Sequence, residues 1–323
     1  MKQLLAPALG LAGAILILAV PGHAQEYPVK PVRIIAGASG TANDILARHL
    51  AHQLTERWGR QVIVDNRPGA GGTIAADLAA KAAPDGYTFN TAYTANFAAA
   101  VSLYRKLPYD PIRDFAPIAL YADSPMLLVA HPSMPPRSLR ELIEFAKKRP
   151  GAINSASAGG ATVSHLTTEL LNHVAGVKLV TVHYKGSWAA MLALVSGEAQ
   201  VAAIVMPSAL PQVKAGKAKA YAVASAKRFA GMPEIPTAGE AGLPGFEATS
   251  WFGFCAPART PPALIGRLNR DFVEVLRVPG VRDWLLAQGA EPIPSTPEEF
   301  AAYLRTEIVK WKKVVELSGA RID

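Results

Sequence analysis

The sequence predicts an α/β fold built on parallel sheets with helices on both faces. Short apolar runs typical of buried strands alternate along the chain with longer segments whose apolar residues recur at helical spacing. Half of the residues are hydrophobic and only 18% are charged, so a chain of 323 residues can fill a substantial core.

The first half of the chain alternates strand and helix signals from one end to the other. The first helix is predicted from apolar residues that share one face, and Gly59 marks its end. Pro84 stops the second helix, which is rich in alanine. The predicted elements are, in order, a strand at 32–35, a helix at 43–58, a strand at 61–64, a helix at 73–83 and a strand at 87–93.

The second half repeats this alternation and then becomes helical. Ser138 and Glu141 form a capping-box pattern at one helix start, and Thr296 and Glu299 form another with Pro297 at the first helical position. The predicted strands are 127–131, 153–156, 178–183, 200–205 and 219–224. The predicted helices are the one that begins after Ser138 and ends before Pro150, those at 163–174, 188–195, 261–276 and 281–288, and the one that begins after Thr296.

Residues 1–24 have the features of an export signal. Lys2 gives a basic start, an apolar stretch follows at 4–20, and Gly22-His23-Ala24 places small residues at the two positions that a signal peptidase reads. We therefore expect export and cleavage before Gln25. The alternative is a membrane anchor, but the stretch is shorter than the roughly 20 residues that a spanning helix needs.

Charge and cysteine content narrow the function classes. The chain has 33 Lys and Arg against 25 Asp and Glu, and these basic residues are scattered, which argues against a nucleic-acid-binding surface. A positive field that attracts anions to a cleft and a merely solvated surface both fit this balance. The one cysteine, Cys255, lies in an apolar strand-like run, so we expect a buried thiol and no internal disulfide.

Familiar catalytic and cofactor motifs are incomplete in this sequence. Gly69-Ala70-Gly71 begins a dinucleotide-binding pattern, but Ile74 occupies its last position, so a tight turn is the favoured interpretation. The histidines show no zinc-site spacing, and no G-x-S-x-G nucleophile motif occurs. We expect no metal, nucleotide or redox cofactor and no enzymatic activity; an exported α/β hydrolase is the alternative.

Four loops at the expected carboxyl ends of strands are candidate ligand sites, because open α/β sheets bind ligands at that edge. Each places small or hydroxylated residues before a helix, whose first backbone amides can bind a carboxylate. The alternative is that these residues are ordinary helix caps. The loops span residues 37–44, 93–96, 157–165 and 184–187.

Several motifs, in this order and at this spacing, make the chain similar to a known receptor family. They are Val-Asp-Asn-Arg-Pro-Gly-Ala-Gly-Gly at 64–72, Ala-Ala-Pro-Asp-Gly-Tyr-Thr at 82–88, Leu-Tyr-Arg-Lys-Leu-Pro-Tyr-Asp-Pro at 103–111 and Asp-Phe-Ala-Pro-Ile at 114–118. They resemble the periplasmic solute receptors of tripartite tricarboxylate transporters, often called the Bug family. The likeness continues through 155–165, 184–187, 207–211 and 249–262, and so covers nearly the whole mature chain.

The resemblance implies a two-lobed periplasmic type-two binding protein with a ligand cleft between lobes that two crossing segments join. We place the crossings near 119–124 and 248–254. The first lobe would comprise 25–123 and 250–323, and the second 124–249. The resemblance also implies a small organic carboxylate as ligand and a tripartite-type inner-membrane permease, or a sensor kinase, as partner. We expect a monomer.

Matched position by position, the resemblance also implies which residues bind the ligand. They are Ser39, Thr41, Asn43, Tyr93, Thr94, Ser157, Thr162, Ser164, His165, Tyr184, Lys185 and Val205. A receptor for an amine or a metal complex is the other binding alternative, but it would need acidic or aromatic cage residues, and these loops are poor in acids.

Two departures from the family pattern concern how the ligand is recognised. The loop at 36–42 reads Ala-Gly-Ala-Ser-Gly-Thr-Ala and is one residue shorter than the usual glycine-rich run. Ile204, Val205 and Met206 stand where many relatives have Asp-Asn and an apolar residue. If these three side chains face the cleft, they favour a carboxylate with an aromatic or aliphatic body over a polyacid such as citrate. Otherwise they belong to the core.

Overall fold

A computed structural model describes residues 27–160 and 162–322, and these residues form a mixed α/β fold. The strands are β1 (Val32–Ala36), β2 (Val62–Asn66), β3 (Thr88–Tyr93), β4 (Phe115–Ala130), β5 (Asn154–Ser157), β6 (Val180–His183), β7 (Val201–Val205), β8 (Lys219–Val223), β9 (Thr249–Pro257) and β10 (Glu291–Pro292). The helices are α1 (Ala42–Trp58), α2 (Thr73–Ala80), α3 (Ala100–Leu103), α4 (Leu139–Lys147), α5 (Val163–Ala175), α6 (Ser187–Val195), α7 (Met206–Lys214), α8 (Pro262–Arg277), α9 (Pro279–Ala287) and α10 (Pro297–Ser318).

The sheet order confirms the predicted α/β class. The strands lie in the order β2-β1-β3-β9-β4-β7-β5-β6, with β8 and β10 as further partners of β4. β1 is parallel to β2 and β3, and β5 is parallel to β6 and β7. β4 and β9 run antiparallel to their neighbours. The sheet is therefore parallel where the sequence alternates strand and helix, and antiparallel along its middle.

The long strand β4 joins two lobes. Between Phe115 and Pro125 it pairs with β9, and from Met126 onward it pairs with β7 and β8 instead. The chain returns beside this point, because the Met126 amide donates to the Ala248 carbonyl and the Ala248 amide donates to the Ala224 carbonyl. The lobe boundaries that we inferred from the sequence adjoin these positions and stay a prediction.

Cap residues explain where the helices that flank the cleft begin and end. Thr41 and Thr162 cap α1 and α5 with their side chains, and Gly59 ends α1 in the left-handed conformation, as the sequence predicted. The predicted capping box at Thr296 is also confirmed, since its hydroxyl accepts from the Glu299 amide and the Glu299 carboxylate accepts from the Thr296 amide.

Three parts of the fold differ from the sequence prediction. β4 begins twelve positions before the predicted strand at 127, counting from Phe115, because Pro117 and Pro125 break the strand signal. Helix α7 was not predicted, because Pro207 and Pro211 read as helix breakers. A π-helical turn, Thr94–Ala99, continues into α3 where the sequence indicated a loop.

The core extends through both lobes. Cys255 is fully buried among apolar side chains, as predicted, and burial raises the pKa of its thiol well above the usual value.

Helix α10 contacts β4, the π-helical turn and α5, and so packs against both lobes. Its buried Glu307 accepts hydrogen bonds from the indole nitrogens of Trp251 and Trp311. This carboxylate therefore connects α10 to β9.

Every helix within residues 27–160 and 162–322 is too short or too polar to cross a membrane. The predicted signal segment and its cleavage point before Gln25 lie outside the described residues.

Candidate functional site

The candidate site lies at the carboxyl ends of the parallel strands in both lobes. β1 and β3 end together in the first lobe, and β5, β6 and β7 end together in the second. Helices α1, α5 and α6 begin within a few residues of β1, β5 and β6, and α7 begins directly after β7. Helix α5 also contacts the π-helical turn of the first lobe, so elements that carry candidate ligand residues in the two lobes meet.

The loop after β1 exposes two of the predicted ligand residues. Ser39 and Thr41 are both exposed. The Thr41 hydroxyl donates to the Ala38 carbonyl at 2.9 Å and accepts from the Asp44 amide at 3.3 Å. Thr41 is therefore a helix cap as well as an accessible hydroxyl.

Asp44 holds this loop in place, and sequence reasoning missed it. Its carboxylate accepts from the Gly40 amide at 2.9 Å, from the Ser39 hydroxyl at 3.4 Å and from the Asn66 side chain at 2.8 Å. Burial opposes ionisation of Asp44, but the hydrogen bonds from Asn66, Gly40 and Arg48 outweigh it and lower its pKa. The Thr-x-x-Asp spacing after the cap was the signal that could have identified this residue.

Replacing Asp44 with Asn should loosen the first-lobe loop. The asparagine side chain has nearly the shape of the aspartate, but it lacks the negative charge of the carboxylate that accepts from Ser39, Gly40 and Asn66. We therefore expect a loss of about 1–3 kcal/mol in the free energy of unfolding at neutral pH. Because the pKa is lowered in the fold, this contribution should shrink as the pH falls through the folded pKa. Urea unfolding measures it. Glu56→Ala, an exposed change on the same helix, is the control, and an equal loss in both variants would contradict the assignment.

Asn43 and Thr94, two predicted ligand residues, are buried behind the carboxyl ends of the first-lobe strands rather than exposed there. The Asn43 amide donates to the Thr91 hydroxyl at 2.9 Å, and its oxygen accepts from Tyr121 at 3.4 Å. The Thr94 hydroxyl accepts from the Trp251 amide at 3.1 Å. Both side chains are buried, so their polar atoms are engaged in supporting the edge.

Tyr93 fills the space between two loops of the first lobe. Its hydroxyl donates to the Gly71 carbonyl at 2.8 Å. A Cβ atom added at Gly37 or Gly72 would lie 3.0 or 1.9 Å from that hydroxyl oxygen, so both positions need glycine if Tyr93 is to stay there. Gly69 and Gly72 have positive φ angles between β2 and α2, which confirms that this glycine-rich block is a tight turn.

The second-lobe loops begin where β5 and β6 end. Ser157 and His183 are register partners at the last position of the two strands. The Ser157 hydroxyl donates to the Gly159 carbonyl at 2.9 Å and accepts from the Gly159 amide at 3.2 Å, and it is buried. Thr162 caps α5 and donates to the same Gly159 carbonyl at 2.8 Å. The backbone of this loop is thus held by its own hydroxyls.

Tyr184 and Lys185 form the adjacent loop. Tyr184 is partly buried against the second-lobe core, and Lys185 is exposed. The Gly186 amide donates to the Ala158 carbonyl at 3.0 Å, which ties this loop to the one after β5. Gly186 has a φ of 98° before α6 begins, so a larger residue would be strained there.

Ser164, a predicted ligand residue of the second lobe, is less accessible than the sequence suggested. The Ser164 hydroxyl is buried and donates to the Ala203 carbonyl at 2.6 Å. Ile204 and Met206 are fully buried in the second-lobe core, so for these two residues the structure favours the second alternative of the sequence analysis, in which they belong to the core. Only Val205 of these three is partly exposed, and it alone could touch a ligand's apolar end.

His165, a predicted ligand residue, lies on the first turn of α5. Its ring meets the ring of His183 edge to face, with centroids 4.7 Å apart. His183 is exposed at the end of β6.

The chemistry of this edge suits binding better than reaction. Among residues 27–160 and 162–322, no group of three or more His, Cys, Asp or Glu is arranged to hold a metal ion. Ser157, the serine nearest a histidine here, is buried and donates its proton to a backbone carbonyl, so it is a poor nucleophile. Helix starts, hydroxyls and Lys185 instead offer hydrogen-bond donors to an anion.

Comparisons with known proteins agree with this geometry. A family model described as "Tripartite tricarboxylate transporter family receptor" matches residues 46–320. The protein BugT of Bordetella pertussis is 36% identical over 324 aligned positions, which cover 100% of this chain and 99% of BugT.

Two solved structures share the fold and carry bound carboxylates. Rpa4515 of R. palustris, solved with adipate, is 34% identical, with a TM-score of 0.86 over 92% of this chain and 100% of its own. MatC of Rhodopseudomonas palustris, solved with malate, is 35% identical, with a TM-score of 0.81 over 90% of this chain and 100% of its own. The chain belongs to the tripartite tricarboxylate transporter receptor family.

Proposed function

We propose that this protein is a periplasmic receptor that binds a small organic carboxylate between its two lobes and delivers it to a tripartite tricarboxylate-type permease. The observation that carries the proposal is the placement of the starts of α1, α5 and α6 at the carboxyl ends of β1, β5 and β6, in both lobes. Helix starts present backbone amides and the positive end of the helix dipole, which stabilise an anion without a buried lysine.

The ligand class follows from the relatives and from the donors at the edge. Two receptors of the same fold hold adipate and malate, both small dicarboxylates. In this chain Lys185 is an exposed donor at the edge, and the hydroxyls of Ser39 and Thr41 are exposed there as well. Val205 is the one partly exposed apolar residue of the Ile204–Met206 run. These features support a carboxylate whose body is aliphatic or aromatic.

The remaining parts of the proposal rest on the family and on the leader pattern. The signal-like segment at 1–24 supports export to the periplasm. Receptors of this kind deliver a ligand to a permease rather than transform it, so we infer that the protein is not catalytic and that the permease is its partner. We also infer that it is a monomer.

A thermal-shift panel followed by titration calorimetry tests this function. Adipate, malate, citrate and nicotinate would each be added in excess; a ligand at 100 times its dissociation constant stabilises a protein by about 2.7 kcal/mol. We expect adipate, malate or nicotinate to raise the melting temperature more than citrate does. No stabilisation by any of these carboxylates would contradict the proposed function.

Two exposed polar residues, Ser39 and Lys185, allow the site itself to be tested. Ser39→Ala and Lys185→Ala should each weaken binding of the most stabilising carboxylate by about tenfold or more, because a hydrogen bond to a charged group contributes about 1.5–3 kcal/mol. Thr306→Ala, an exposed change on α10, is the matched control. Unchanged affinity in both site variants would place the ligand elsewhere.

A further inference from the structure

An acidic cavity lies beside β4, where that strand exchanges its pairing with β9 for pairing with β7 and β8. The exchange falls between Pro125 and Met126, and both Asp123 and Pro125 line the cavity, whose volume is about 330 Å³. Carboxylates outnumber lysines among the charged lining residues. These residues are Asp123, Glu247, Glu291, Glu307, Lys227 and Lys310.

Two of these carboxylates lie directly opposite each other on neighbouring strands. Glu291 of β10 is the register partner of Asp123 of β4, and the two strands are antiparallel. Residues opposite each other in an antiparallel pair point to the same face, with Cβ atoms about 4.5–5.5 Å apart, and like charges in these positions repel. Asp123 and Glu291 therefore favour a positive charge between them.

The lysines of the cavity leave this pair without a full counter-charge. The Lys310 ammonium is 3.3 Å from the Glu307 Oε1 atom, and Lys227 is exposed. The Glu291 Oε1 atom accepts from the Ala230 amide at 3.1 Å. Asp123 as a whole is partly exposed, but its Oδ1 atom is buried and has no hydrogen-bond partner among the described residues. This carboxylate therefore lacks a donor that a cation in the cavity could supply.

The titration of Asp123 reflects the same deficit. Burial raises its pKa from 3.8 to about 6, and the charges of Glu307 and Glu291 act in the same direction. A hydrogen bond from Thr249 and the charge of Lys310 oppose this rise without cancelling it. An additional positive charge in the cavity would stabilise the ionised carboxylate.

Aromatic side chains form another part of the cavity wall. Tyr303 lines the cavity, and burial, Glu307 and Asp123 raise the pKa of its phenol. Phe229 lines the cavity as well. Aromatic faces attract cations and also accommodate carbon chains. The wall therefore suits a positively charged group that carries a short apolar stem.

We propose that this cavity binds a small primary amine in its ammonium form, with the nitrogen between Asp123 and Glu291. An ammonium group has three N–H donors, and the two carboxylates and the hydroxyl of Thr249 or Tyr303 can accept them. The carbon chain would rest against Phe229 and Tyr303. This site is separate from the carboxylate site at the ends of the parallel strands.

The same residues suit an ammonium group better than a metal ion. In the part of the chain that the structure describes, no group of three or more His, Cys, Asp or Glu is arranged to hold a metal. Calcium takes about six to eight oxygen ligands, and magnesium demands a near-octahedral set. Two carboxylates and a hydroxyl supply too few ligands for either ion, but they match the three donors of an ammonium group.

Saturation-transfer NMR with ethylammonium chloride tests the proposal, with tetramethylammonium chloride as the probe that has the same charge but no N–H donor. We expect saturable binding of ethylammonium at about pH 7.5 and at least tenfold weaker binding of tetramethylammonium. Asp123→Asn and Glu291→Gln should each weaken ethylammonium binding about tenfold or more, because each removes a charge-assisted hydrogen bond. Asp283→Asn, on the exposed surface of α9, should leave it unchanged.

Binding should also weaken as the pH falls through the folded pKa of Asp123. The probe stays charged, but it binds the ionised carboxylate, and at about pH 5 roughly nine in ten Asp123 side chains are protonated. The affinity at about pH 5 should therefore be about tenfold lower than at about pH 7.5. Asp123→Asn should remove this difference, and thermal unfolding would verify that both site variants are folded.

Several results would overturn the amine site. They are no saturable binding of ethylammonium at about pH 7.5, unchanged binding in Asp123→Asn and Glu291→Gln, and equally strong binding of tetramethylammonium. Stabilisation by calcium that is lost in Asp123→Asn, with none by ethylammonium, would assign the cavity to a metal ion instead. The carboxylate-receptor function is tested separately with anionic ligands, so its success or failure is independent of these results.

Discussion

Replacing Glu307 with Ala should destabilise the protein by about 3–5 kcal/mol, because the change leaves two buried indole donors and a lysine without their shared acceptor. Glu307 is only 3% exposed. One of its oxygens accepts from Trp251 at 3.0 Å and from Trp311 at 2.8 Å, and the other accepts from Lys310 at 3.3 Å. Trp251 is on β9 and the others are on α10, so the loss should separate this helix from the strand.

Two further variants make the Glu307 prediction specific. Glu307→Gln keeps an oxygen acceptor and should cost less, about 1–2 kcal/mol. Glu316→Ala, an exposed change near the end of the same helix, should cost little. Urea unfolding followed by tryptophan fluorescence measures all three. Equal stability of Glu307→Ala and Glu316→Ala would show that the carboxylate does not hold α10 in place.

Replacing Asp123 with Asn should stabilise the protein at neutral pH. Asp123 lies on β4, and its Oδ1 atom is buried without a hydrogen-bond partner among the described residues. It lines a cavity of about 330 Å³ that Glu291, Glu307 and Lys310 also line. Burial, with a smaller contribution from Glu307, raises the pKa of Asp123 from 3.8 to about 6, although Thr249 and Lys310 act in the other direction.

The sign of this effect depends on pH. A carboxyl with a raised folded pKa has no ionisation penalty below about pH 4, gains one as the pH rises to about 6, and keeps it above that value. The full penalty is at most about 3 kcal/mol for a shift of this size. Asp123→Asn should therefore be more stable than wild type at about pH 7.5 and similar to it near pH 4.

Thermal unfolding across this pH range, compared with Asp283→Asn on the exposed surface of α9, measures the effect. A stability difference that is the same at every pH would mean that packing around Asn, rather than the lost charge, is responsible. Lower stability of Asp123→Asn at neutral pH would mean that the ionised carboxylate is favoured in the folded protein.

Local signals in the sequence predicted helices and parallel strands well. Thr296 with Glu299 and Gly59 with the preceding apolar face marked helix ends that the structure confirms. The long strand β4 was only partly predicted, because its first half contains Pro117 and Pro125 and is stabilised by pairing with β9, which is more than 120 residues away in the chain. Long-range pairing of this kind leaves little trace in local periodicity.

For the candidate site, too, the sequence predicted one property and not another. The sequence located the loops, because parallel strands and helix caps have local signatures, but it could not tell an exposed hydroxyl from a buried one. Thr41 and Ser164 both lie at helix starts, yet Thr41 is exposed and Ser164 donates to a backbone carbonyl within the core. Asp44 was missed because its role depends on neighbours, such as Asn66, that folding brings close to it.

A crystal structure of the protein with adipate or malate, whichever stabilises it more, tests the central claim most directly. We predict a carboxylate group between the lobes, within hydrogen-bond distance of the backbone amides at the start of α1 and of those at the start of α5 or α6. Ligand density outside the carboxyl edges of β1, β5 and β6, or contact with one lobe only, would contradict this account.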